Sequence, residues 1–104
     1  IHEFGDLSGG CDTAGAHYNP DNVDHGDLDE GHVGDLGNVI ANDDGVVTLN
    51  ISAQRVDLSG DRSVVGRSII IHSDRDDLGL GGDAESIKTG NSGERLACGV
   101  IVLS

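Results

Sequence analysis

Large aromatic side chains are almost missing from this chain. Its 104 residues include one Phe, one Tyr and no Trp, and Met is absent too. A core packed around rings is excluded, so aliphatic side chains must fill the interior. Basic residues are scarce as well: six, against 19 acidic ones, for a formal net charge of −13. That balance excludes a surface for nucleic acid or for an anionic membrane, because both need a basic patch. It also makes the molecule as a whole repel a small anion, so any anion chemistry depends on a locally positive funnel. No apolar run approaches the ~20 residues that cross a bilayer. No signal peptide is visible, a feature that a processed or truncated chain would share. Cysteine occurs only at Cys11 and Cys98, and two buried thiols are the default reading in a reducing compartment.

What is present favours strands and long connections. The length fits one domain with a modest core. The 17 glycines and the recurrent Asp/Asn/Gly clusters mark many turns. Val46–Ser52 follows the turn Asn42-Asp43-Asp44-Gly45 and alternates as a half-buried strand does. Ser63–His72 and Ala97–Leu103 are further candidate strands, with short pieces at Val39–Ala41 and Arg55–Leu58. No sustained helical stripe occurs, and one helical turn fits near Ala84–Lys88. Gly5–Gly37 and Asp74–Glu94 carry no strand signal, and loops of such length in a compact domain are usually functional or disordered. The expected class is all-β with two long functional loops.

Five histidines are the densest chemical signal: His2, His17, His25, His32 and His72. Imidazole is the commonest metal ligand. His17, His25 and His32 share one loop-like stretch with Asp35, giving three imidazoles and a carboxylate, the donor set of a closed tetrahedral zinc site. His2 and His72 remain as ligands for something else. The competing reading is a scatter of solvated histidines. The acidic run Asp24–Glu30 lacks EF-hand spacing and reads as a solvated loop. Gly79-Leu80-Gly81-Gly82 has no strand–helix context for a phosphate loop and reads as a turn. Asn50-Ile51-Ser52 is a glycosylation sequon, of consequence only for a secreted chain.

The sequence around these histidines resembles copper,zinc superoxide dismutases. The motifs are His2-Glu3-Phe4-Gly5-Asp6, Gly15-Ala16-His17-Tyr18-Asn19-Pro20 and His32-Val33-Gly34-Asp35-Leu36-Gly37-Asn38. Gly66-Arg67-Ser68, Asp76-Asp77-Leu78-Gly79 and Gly90-Asn91-Ser92-Gly93-Glu94-Arg95-Leu96-Ala97-Cys98 continue the match in the same order to the end of the chain. The resemblance implies a Greek-key β-sandwich or barrel over residues 1–104, with a long metal-binding loop and a long electrostatic loop. It implies a copper ion on His2, His17 and His72, and a zinc ion on His17, His25, His32 and Asp35, with His17 as the bridging imidazolate. Asp76 corresponds to the carboxylate that orients ligands of both metals. Arg95 corresponds to the arginine that guides and docks superoxide, with Glu85, Lys88 and Thr89 in the electrostatic funnel. Leu80 stands where the family usually has another lysine. Cys11 and Cys98 correspond to an intrachain disulfide.

The family begins with three further strands and the start of a fourth, so the chain is expected to be part of a longer one. A fourth copper histidine is expected one residue before Ile1. The implied activity is conversion of superoxide to dioxygen and hydrogen peroxide. The alternative is a non-catalytic relative, either a dismutase-like domain of a copper chaperone or a zinc-only module. Phe4-Gly5-Asp6, Val65-Gly66 and Gly99–Ser104 match the family's dimer contacts, implying a homodimer, and a copper chaperone is an expected partner. The compartment stays open between cytoplasmic and extracellular.

Overall fold

The structure, a computed structural model, describes residues 1–104. Its regular sheet is an antiparallel pair, β1 (Ser68–His72) and β2 (Arg95–Val100). The β-branched run Ile69-Ile70-Ile71 suits a pleated, half-buried surface, and Ser68 and Ile70 turn inward while their neighbours face out. The register sets Ile70 opposite Cys98 and His72 opposite Arg95, with an irregularity between Ile71 and His72.

The first residues lie against this pair. The His2 N–H donates to the Ser68 carbonyl (2.9 Å), the Glu3 N–H to Ala16 (2.8 Å) and the Tyr18 N–H to Ile1 (2.9 Å). His2 is thereby bridged to Ser68 on one side and to His17 on the other. A small core sits beside it: Tyr18, Val33 and Val64 are buried, with Ile1, Val56 and Ile101 packed against them. The lone tyrosine serves two functions there, donating its hydroxyl to the Arg62 carbonyl (3.1 Å) while the Arg67 guanidinium lies 3.8 Å over its ring.

Both long connections contain short helical pieces. A 3₁₀ turn, Gly10–Ala14, is tied to β2 by the Cys11–Cys98 disulfide, with Cα atoms 5.7 Å apart. The helix α1 (Ala84–Thr89) begins at Asp83, whose side chain accepts the Ser86 N–H (2.8 Å). It ends at Gly90 in the left-handed conformation (φ 74°), whose N–H returns to the Ser86 carbonyl. No helix is long and apolar enough to cross a membrane.

Several expected strands do not form. Val46–Ser52, Val39–Ala41 and Arg55–Leu58 lie outside any ladder, apart from an isolated bridge between Asp57 and Ser63. No backbone hydrogen bond ties residues 47–52 to another segment. Alternation prepares one face of a strand, but a ladder also needs a neighbouring edge, and this segment has none beside it. The expected strand from Ser63 starts at Ser68 instead, because residues 64–67 turn at Gly66 (φ 86°) with the Arg67 N–H on the Val64 carbonyl. The last strand runs Arg95–Val100 in place of Ala97–Leu103. Leu49, Ile51, Ile69 and Ile71 line an apolar hollow of about 330 Å³ that reaches inward to His25 and Asp35. Asn50 lies exposed in the same unladdered segment.

Candidate metal centre

The three histidines read from one stretch of sequence converge on the Asp35 carboxylate in the same stretch. Asp35 Oδ1 lies 3.2 Å from His17 Nδ1 and 3.3 Å from His32 Nδ1, and Oδ2 lies 3.0 Å from His25 Nδ1. His17 Nδ1 and His32 Nδ1 are 3.2 Å apart. A tetrahedral zinc ion with ligands at ~2.0–2.1 Å needs donor atoms about 3.3 Å from one another. The spacing therefore fits the ion, and so do the donors, three ring nitrogens and one carboxylate. His25, His32 and Asp35 are buried, whereas His17 is partly open.

Hydrogen bonds fix how the rings are turned. His25 Nε2–H donates to Asp76 Oδ1 (2.6 Å), which aims Nδ1 at Asp35. That Nδ1 is buried without a hydrogen-bond partner, since Asp35 lies close but off the bonding direction. Burial works against a charged His25, yet the Asp35 and Asp76 carboxylates together outweigh it and raise its pKa to about 9. Asp35, although buried, is held far below the usual carboxylate range by the His17, His25 and His32 rings set against it and by the Gly26 N–H. In the metal-free chain the proton on His25 occupies the electrostatic place a divalent cation would take.

A second group shares His17. It comprises His2, His17 and His72, with one ligand atom each all lying within 4.8 Å of one another. His2 Nδ1–H donates to the Gly15 carbonyl (2.9 Å) and His72 Nδ1–H to the Gly93 carbonyl (3.2 Å). Both Nε2 atoms then present lone pairs, and they face each other at 3.1 Å. Two acceptors at that distance need a cation between them, and imidazole nitrogens suit copper. Burial lowers the His2 pKa to about 3 against the Gly15 carbonyl, with His17, the amino terminus and Arg95 adding to the fall. Burial lowers His72 too, so both rings stay neutral and free to ligate. His17 Nδ1 faces Asp35, leaving Nε2 for this second group.

The two groups open into a cleft of about 950 Å³ that Glu85, Lys88, Thr89 and Arg95 also line. Arg95 Nη1–H donates to the Cys11 carbonyl (2.9 Å), so the disulfide loop holds the guanidinium. Lys88 makes no ion pair. Glu85 Oε1 instead accepts the Thr89 hydroxyl (2.8 Å). Every site residue expected from the sequence thus belongs to the two clusters, to this cleft, or to the bonds that hold them.

A model of the family described as copper/zinc superoxide dismutase (SODC) matches residues 1–101. The chain belongs to this family. Among superoxide dismutases, an extracellular copper-zinc enzyme of Drosophila melanogaster is 52% identical over 103 residues, covering 97% of this chain and 57% of its own length. An extracellular one from Brugia pahangi is 51% identical over 109 residues, covering all of this chain and 55% of the relative. Superoxide dismutase [Cu-Zn] A of Xenopus laevis is 54% identical over 104 residues, covering 97% of this chain and 68% of the relative. The chain thus spans little more than half the length of the two extracellular dismutases it matches.

Some supports of the site carry no role that the sequence announces. Asn38 clamps the Asp76 peptide, accepting its N–H (2.8 Å) and donating to its carbonyl (2.9 Å). The carbonyls of Gly15, Gly93 and Cys11 orient His2, His72 and Arg95. Asn38 was within reach of a motif reading; a backbone carbonyl carries no residue signature at all.

Proposed function

We propose that the protein is a copper- and zinc-dependent superoxide dismutase and that this chain carries its metal-binding and substrate-guiding parts. The observation that carries the reading is His17, one imidazole belonging to both metal-capable groups in a cleft edged by Arg95 and Lys88. His17, His25, His32 and Asp35 hold zinc; His2, His17 and His72 contribute nitrogens to copper. When bound, copper supplies one-electron reduction and oxidation, and zinc supplies a redox-silent charge that fixes the ligands around it.

The chain's own residues supply the rest. Arg95 docks the superoxide anion with the guanidinium N–H groups that the Cys11 carbonyl leaves free, and its planar, permanently charged fork suits a small anion. Lys88 adds an uncompensated positive charge at the cleft, while Thr89 keeps the Glu85 carboxylate occupied. His17, held through Nδ1, takes up a proton at Nε2 and passes it to the reduced oxygen species. Two superoxide anions and two protons give one dioxygen and one hydrogen peroxide, one anion being oxidised and the other reduced.

The same assignment extends to the whole protein: a Greek-key β-sandwich, a homodimer and loading by a copper chaperone. Proximity supports the dimer face, because the Gly66 N–H donates to the Ile101 carbonyl (2.7 Å) and Gly5 lies against the Gly66 carbonyl and Val100. The test is metal content per folded chain together with superoxide decay followed after pulse radiolysis. One copper and one zinc with accelerated decay, lost in His17→Ala, is the expected result. Zinc without copper, or full metal loading without accelerated decay, would overturn the enzymatic reading.

A further inference from the structure

Arg55 has no part in the roles above, yet it reaches the loop that carries two of the four zinc-type donors. Its Nη1–H donates to the Gly31 carbonyl (2.8 Å), and Nη2–H groups donate to those of Leu28 (3.0 Å) and His32 (3.1 Å). Three carbonyls from five successive residues therefore converge on one planar fork. Arg55 itself is half-buried, with Nε fully enclosed and unpartnered, and no carboxylate pairs with it. Its hydrogen bonds go to carbonyl dipoles of this loop alone.

The position of that fork matters for the ligands. His32 is both a donor in the cluster and one of the three carbonyls held. Its own N–H donates to Asp35 Oδ2 (2.7 Å), which ties the carboxylate to the same turn. Inside the loop, backbone bonds run only from Glu30 and Gly31 to Asp27 (3.4 and 3.1 Å) and from Asp35 to His32 (3.0 Å). Beyond them, the Gly34 N–H on the Tyr18 carbonyl (2.9 Å) and the amino terminus on the Gly34 carbonyl (2.6 Å) fix the end of the loop beside His17, but no backbone bond ties residues 28–32 to a remote segment. Arg55 supplies the anchor from a distant part of the chain.

We propose that Arg55 is a positioning residue for the zinc-type cluster, holding His32 and Asp35 in ligating geometry before a metal arrives. The inference rests on the assignment of His17, His25, His32 and Asp35 to zinc. An arginine is required because its donors are spread in a fixed plane; a lysine ammonium is a single point that cannot span three carbonyls. The exposed ion pair of Arg62 with Asp21 (2.6 and 2.8 Å) ties a nearby arginine to residues ahead of this loop, away from the donors, and serves as the control.

The experiment uses the full-length protein, stripped of metal, as parent, Arg55→Lys, Arg55→Gln and Arg62→Ala. Three quantities are read: zinc affinity by chelator competition, the d–d absorption of the cobalt(II)-loaded protein, and amide exchange over residues 28–33 without metal. Lost supports of ligands weaken metal binding by about ten- to a hundredfold, which is the loss expected in Arg55→Lys. Weaker cobalt bands and faster exchange of the loop should accompany it, with Arg62→Ala matching the parent in all three. Should Arg55→Gln fail to fold, Arg55→Lys decides alone, since it keeps the charge and the stem. Parent-like zinc affinity and cobalt bands in Arg55→Lys overturn the inference while leaving the zinc assignment intact. A parent that binds no zinc overturns both.

Discussion

At the level of single residues, His25 links the cluster to pH. Its pKa rises from about 6.5 in the unfolded chain to about 9 in the metal-free fold. The stabilisation it contributes is therefore complete below about pH 6.5 and is lost as pH climbs through about 9. His2 runs the other way: its pKa falls to about 3, so its contribution is present above about 6.5 and lost as pH drops. Metal-free protein should show greatest thermal stability near neutrality, weakening on both sides, as followed by melting across a pH series. Zinc must displace the His25 proton, so binding should release protons at pH 7 and tighten with pH up to about 9; calorimetry in buffers of different ionisation enthalpy reads that release. Asp76→Asn keeps the side-chain shape but removes the charge facing His25 Nε2, and zinc affinity should fall by about ten- to a hundredfold. These donors were legible in the sequence because histidine is rare and its chemistry narrow. Arg55, by contrast, looked like part of a strand: what it binds is backbone, and which carbonyls come within its reach depends on the folded path of a remote loop.

At the level of elements, turns and caps position the site more than strands do. Gly90 ends α1 and also leaves room for the His25–Asp76 pair; a Cβ there would run into Asp76 Oδ1 and His25 Nε2. Gly90→Ala would add that clash to a left-handed backbone costing about 1–3 kcal/mol for a residue with a side chain. The expected outcome is a lowered melting temperature together with weakened zinc binding, whereas Gly82→Ala, where the added Cβ meets nothing, should lower the melting temperature alone. The helical turn near Ala84–Lys88 was readable from sequence, and α1 covers it with one more residue. Val46–Ser52 misled because alternation reports which face is apolar, not whether an edge is available to pair with. The two strands that do form combine a β-branched run with a neighbour in register, and the second condition is invisible in a local window.

For the whole molecule, two long-range features set stability and rate. The Cys11–Cys98 bond closes a loop of 87 residues in sequence separation, worth about 4–5 kcal/mol in the chain-entropy account. Cys11→Ser with Cys98→Ser should lower the denaturation midpoint and also loosen Arg95, whose Nη1 rests on the Cys11 carbonyl. The net charge of −13 repels any small anion at long range, so under the proposed assignment capture of superoxide rests on the local field of Arg95 and Lys88. Lys88→Gln should lower kcat/KM and flatten its decline with added salt, as measured by pulse radiolysis across ionic strengths. The pairing of His72 with Arg95 carries a different consequence, one for how such chains tolerate change. Because the ladder, and not the intervening loop, sets that pairing, the exposed turn at residues 80–82 can gain or lose length over evolutionary time while ligand and guanidinium stay side by side, whereas Asp76, Lys88, Gly90 and Gly93 around it are held by their partners in the site. Within β2 the tolerance ends. The irregularity there, where one step on β1 (Ile71 to His72) spans two on β2 (Ala97 to Arg95), is what sets Arg95 opposite His72, so length variation among natural homologues should crowd into that turn and spare the strand.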